Sequence, residues 1–91
     1  MIHISYTGQL FQEDDQIVAL CPELNVSSFG DTPQEALTAL QEAVSLFLET
    51  CQEMGTLDTV LEEAGYHRDS STLRWVPRQP MQINRLEAVY A

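Results

Sequence analysis

The stretch Gly30-Asp31-Thr32-Pro33-Gln34-Glu35-Ala36 constrains the fold of this chain more than any other part of it. Thr32 offers a hydroxyl to the free amides of a first helical turn, and Pro33 suits the first helical position, where a missing N–H costs nothing. Glu35 completes a capping box by reaching back to the Thr32 amide. A helix therefore starts here. Leu37, Leu40, Val44, Phe47, Leu48 and Cys51 follow at three- and four-residue spacing, with Gln34, Glu35, Glu42, Glu49 and Gln52 mostly on the other side, so one face enters a core. Burying each large side chain contributes about 1.5–3 kcal/mol, which makes this stripe the main source of stability. Gly55 is a natural stop, and Thr56 is placed to cap a shorter helix carrying Leu57, Val60, Leu61 and Ala64, which Gly65 ends.

Upstream the pattern changes to period two. Ile2, Ile4, Tyr6 and Leu10 alternate with His3, Ser5, Thr7 and Gln9, which predicts a half-buried strand over residues 2–11. Glu13-Asp14-Asp15 reads as a polar turn. Ile17-Val18-Ala19-Leu20-Cys21 is a continuous apolar run whose β-branched start suits a strand buried on both faces. Pro22 stops the ladder, Asn25 can take a left-handed turn, and residues 24–29 predict a short third strand.

Downstream, Ser70-Ser71-Thr72 is a polar link, Leu73-Arg74-Trp75-Val76 predicts a fourth strand, and Pro77 and Pro80 bound a stiff segment. Leu86-Glu87-Ala88-Val89-Tyr90 alternates again and predicts a final, edge strand, completed in sheet by another chain. The expected organisation is an α+β core over residues 1–67 and a strand-rich extension over 68–91, part of the same domain or an oligomer contact. A domain of 91 residues is marginal alone, so burial shared between identical subunits is expected.

Charge narrows the function. The chain carries 14 Asp plus Glu against 4 Lys plus Arg, for a net charge of −10. Such a surface repels phosphate backbones, so direct nucleic-acid binding is not expected. The balance is uneven: residues 1–67 hold 12 acids and no Lys or Arg, whereas residues 68–91 hold Arg68, Arg74, Arg78 and Arg85 against Asp69 and Glu87. That is −12 followed by +2. Either the acids form a solvated surface with scattered Arg, or the cationic tail packs on an acidic body while the remaining acidic surface receives a basic partner. No apolar run approaches the roughly 18–20 residues of a membrane span, and the opening residues alternate like a strand instead of forming a leader, so the cytoplasm is the expected location. Cys21 and Cys51 are not at metal-ligand spacing and are expected to be free, buried thiols.

The run Ile17-Val18-Ala19-Leu20-Cys21-Pro22-Glu23-Leu24, followed by Gly30-Asp31-Thr32-Pro33-Gln34-Glu35-Ala36 and the apolar helix, resembles the HicB-like antitoxin family. The resemblance extends over residues 1–65 in element order, and Asn25 stands where the family often has Gly. It implies a three-stranded antiparallel meander, a long helix and a short helix, then a further strand, like a truncated ribonuclease-H fold. It also implies a partner, a small basic mRNA-cleaving HicA-like toxin whose surface the antitoxin occludes. Many family members add a C-terminal DNA-binding module, and residues 66–91 show no helix-turn-helix pattern. Some relatives consist of the core domain alone, with no toxin established for them, which leaves as the alternative for this chain a stand-alone oligomer with a structural or ligand-sensing role.

Catalytic chemistry finds less support. A nuclease built on a ribonuclease-H-like outline needs carboxylates converging on divalent metals, and the first predicted strand holds no acid. Glu23 and Asp31 fall at turns, where turn formation and helix-entry electrostatics explain them. His3 and His67 have no partner at ligand spacing, the Ser-Ser pairs have no base to orient them, and there is no Gly-rich phosphate loop. No enzyme activity, metal or cofactor is expected. Glu13, Asp14, Asp15, Glu23, Asp31 and Glu42 are the candidate partner-docking residues. Leu73, Trp75, Val76 and Tyr90 are the candidate contacts of a dimer or tetramer, since a Trp flanked by Arg has the composition of an interface anchor as well as of a core.

Overall fold

A computed structural model describes residues 2–91. The fold is mixed α+β, with strands β1 (His3–Ile4), β2 (Gln9–Glu13), β3 (Gln16–Cys21) and β4 (Val26–Gly30) preceding helices α1 (Pro33–Met54) and α2 (Leu57–Glu63), then strands β5 (His67–Asp69) and β6 (Arg74–Val76). The strands form two three-stranded sheets, ordered β2-β3-β4 and β1-β6-β5. The first is an antiparallel meander; in the second, β1 runs parallel to β6 and β6 antiparallel to β5.

The helix entry uses the capping chemistry of its sequence with one change of partner. The Thr32 hydroxyl accepts a hydrogen bond from the Glu35 amide at 3.1 Å, but the Glu35 carboxylate accepts from the Asp31 amide, at 3.0 Å, and not from that of Thr32. At the other end Gly55 takes the left-handed conformation (φ 74°), its amide reaching Gln52 O and the next amide Cys51 O. Thr56 does not cap α2 with its side chain; its hydroxyl donates to Cys51 O at 3.3 Å and so finishes α1 instead.

Three strand expectations need correction. The strand predicted over residues 2–11 is broken at residues 5–8, because the chain changes partners there: the Ser5 amide still donates to Trp75 O, while β2 pairs with β3. Residues 67–69, for which no strand is expected from the sequence, form β5 against β6. Residues 86–90 form no strand; residues 77–91 run without helix or strand, since alternation alone gives no ladder and no edge within the chain takes it up.

Two cores share α1. Ala19, Cys21, Ala36, Leu40 and Val44 make one, between the meander and the first half of the helix. Cys51, Leu57, Leu61, Tyr66 and Trp75 make the other, between the end of α1, α2 and the small sheet, and Leu24 and Leu48 pack against both. Gly30 permits the close seat of α1 on β4: a Cβ there would lie 2.6 Å from the Ala36 backbone nitrogen.

Candidate interaction surface

Strand register collects most of the predicted docking acids at one end of the meander. Glu13 pairs with Gln16 across the β2–β3 turn, and Ile17 pairs with Gly30, so the turn residues and Asp31 lie at the same end of the sheet. Asp14 takes a positive φ of 50°, and the Gln12 side-chain amide donates to Asp14 O at 3.0 Å and Gln16 O at 3.3 Å. The turn is therefore clasped from within, and Glu13, Asp14, Asp15 and Asp31 are all exposed. An ordered acidic edge presents its charges without first losing the conformational entropy of a loose loop.

Glu42 sits elsewhere, on the exposed side of α1, in a shallow groove with Thr38, Gln41, Ser45, Leu46 and Glu49. Glu23 does not join the acidic end either. It follows β3 at the far end of the sheet, where its carboxylate accepts the Thr7 amide at 3.1 Å and the Thr7 hydroxyl at 2.6 Å. Burial works to raise its pKa, yet the Thr7 hydroxyl and neighbouring amides outweigh that and hold it below the usual carboxylate range. Glu23 is thus committed to the break in the first strand. Next to it the Cys21 thiol is pushed up by burial, and the Tyr66 phenol, also raised by burial, donates to Ser5 O at 2.6 Å.

The predicted oligomer contacts separate as well. Trp75 is buried in the second core of its own chain, with the Arg68 guanidinium 5.8 Å from its ring centroid. Val76 is half-buried, whereas Leu73 and Tyr90 are exposed. Beside Trp75 an open groove of about 370 Å³ is lined by Asp58, Glu62, Tyr66, His67 and Arg68. Cys21 and Cys51 are free and buried, one in each core. Among the described residues, no three His, Cys, Asp or Glu side chains are grouped to hold a metal ion, and no helix is long and apolar enough to cross a membrane.

The reading of residues 17–21 as a strand buried on both faces needs correction, because the chain covers only one face of the meander. Ala19 and Cys21 point into the core, so Val18 and Leu20 face the opposite way. Phe11 pairs with Val18 and Val18 with Phe29, which lines three apolar side chains across the open face, Phe29 at 60% exposure and Phe11 at 48%. The apolar character of β3 on both sides was the available signal. No family model, curated protein or solved structure matches the chain.

Proposed function

We propose that this chain is a non-catalytic protein-binding module, an antitoxin-type protein of the HicB-like class that neutralises a small basic mRNA-cleaving toxin in the cytoplasm. The observation that carries the reading is the ordered acidic end of the meander, Glu13, Asp14, Asp15 and Asp31, on a chain of net charge −10. Opposite fields accelerate encounter and reject partners of the same sign, which is what an inhibitor of a cationic ribonuclease needs. The meander, long helix and short helix follow one another as the resemblance implies, whereas the separate β1-β6-β5 sheet is not part of that outline. Glu42, on the helix, would extend the docking surface; Glu23 is better read as a structural clamp.

A second reading is a stand-alone oligomeric relative with a structural or ligand-sensing role. It is favoured by the exposed apolar face of the meander and the exposed apolar tail, which call for cover whether or not a toxin exists.

The deciding experiment is recovery of tagged protein from its host at low salt, with bound proteins identified by mass. A small basic protein at stoichiometric amount, released by high salt, whose RNA cleavage is suppressed by adding this chain, supports the antitoxin reading. Asp14→Lys with Asp15→Lys should then weaken that suppression about tenfold or more. Recovery of only untagged copies of the chain itself sinks it in favour of the stand-alone oligomer.

A further inference from the structure

We propose that the outer face of the β2–β3–β4 sheet is the seat for residues 81–90 of a second copy of this chain, so that two copies exchange tails. The face is defined by Phe11, Val18 and Phe29 in one cross-strand row, with Leu20 beside it. A strand that is apolar on both sides while only one side meets the core has a second burial to make.

The occupant is written in the same chain. Met81, Ile83, Leu86, Val89 and Tyr90 are 85–97% exposed, in a segment that leaves the body after the buried Pro77. The tail stands clear of its own body: the radius of gyration is 15.7 Å, against roughly 12 Å for a compact chain of this length. Five such side chains on each of two tails, at about 100 Å² of apolar surface apiece, together with the faces they cover, reach the roughly 1,200–2,000 Å² of a stable interface.

Charge selects the tail over a second bare sheet. Apposing two outer faces brings together two bodies that each hold 12 acids and no Lys or Arg over residues 1–67. Residues 81–90 hold Arg85 against Glu87, so the tail adds no net charge to that acidic surface, whereas a second bare sheet sets acid against acid. The exchange is independent of any toxin. Tyr90 keeps the contact role expected from sequence, and Trp75 does not take part.

The test uses the full chain and two surface variants, Phe11→Ser with Phe29→Ser on the face, and Leu86→Ser with Val89→Ser on the tail, each checked by circular dichroism for unchanged folding. Sedimentation equilibrium should give a dimer for the natural chain and a dissociation constant weakened about tenfold or more for each variant. An equimolar mixture of the variants should associate more tightly than either alone, because the intact tail of one meets the intact face of the other. A monomeric natural chain overturns the proposal and points to a tail folded on its own body or kept for a different protein. Loss of the dimer in the face variant but not in the tail variant also overturns it, in favour of sheet-on-sheet packing, as does a mixture no tighter than its components.

Discussion

The Glu23 carboxylate grips Thr7 at two points, one oxygen accepting its backbone amide at 3.1 Å and the other its hydroxyl at 2.6 Å, across sixteen positions of sequence. The grip lies where the chain leaves β6 and joins β3, so it holds the hand-over between the two sheets. Its strength depends on ionisation. The folded-state pKa lies below the ordinary value of 4.5, so the stabilisation is fully present above that value and is lost as pH falls through the folded one. Glu23→Gln should cost about 1 kcal/mol at neutral pH, a modest figure because solvent reaches the carboxylate. Urea titrations of both proteins at neutral and acid pH check this: the difference should shrink as pH falls below the ordinary carboxylate value of 4.5. A constant difference would mean that the carboxylate charge is not what holds Thr7.

Tyr66 makes the matching contact on the other side of the break. Its phenol is buried and donates to Ser5 O at 2.6 Å, which fixes the backbone where β1 ends. Burial, with smaller contributions from the Glu23, Cys21 and Tyr6 charges, holds its pKa above the ordinary 10.0. A raised pKa contributes stability that is present below the unfolded value and is lost as pH climbs towards the folded one. Tyr66→Phe should therefore lower stability by about 1–1.5 kcal/mol near neutrality and unfold less steeply above pH 10 than the natural chain. Thermal melts across that range provide the measurement.

These two contacts mark where sequence reading loses its grip on the fold. The helix entry is local chemistry, written in neighbouring residues, and so the start of α1 at Pro33 and its stop at Gly55 are legible. Asn25 is legible for the same reason, and takes its left-handed turn at φ 54°. The break at residues 5–8 depends on Glu23 and Trp75, far away in sequence, and an unbroken alternation cannot announce it. The strand expected at residues 86–90 fails in the opposite sense: the pattern is present and the partner edge is not. In the candidate surface, composition located the acidic turns, but only register shows that Asp31 lies at the end of Glu13–Asp15 while Glu23 and Glu42 do not. Trp75 is ambiguous in sequence because a core and an interface want the same side chain.

Gly30 is required for space, not for backbone freedom. A Cβ at this position would meet the Ala36 nitrogen at 2.6 Å and the Glu35 Cβ at 2.8 Å, and helix backbone cannot turn aside as a flexible side chain does. Gly30→Ala should push the first turn of α1 off β4 and cost about 2–3 kcal/mol. Chemical denaturation is the check, and an unchanged midpoint would show that the helix seats less closely than its contacts imply.

The two threonines that open the helices should answer differently to the same substitution. Thr32 spends its hydroxyl on the Glu35 amide, one of the first-turn donors that has no partner within the helix. Thr32→Ala should therefore cost about 1 kcal/mol. Thr56 precedes α2 in the same way, yet its hydroxyl serves Cys51 O, a carbonyl that already accepts the Thr56 amide at 2.9 Å. Losing the hydroxyl orphans no helix donor, so Thr56→Ala should cost about 0.5 kcal/mol or less. Parallel urea curves decide it: equal losses at the two sites would mean that Thr56 caps α2 in solution after all.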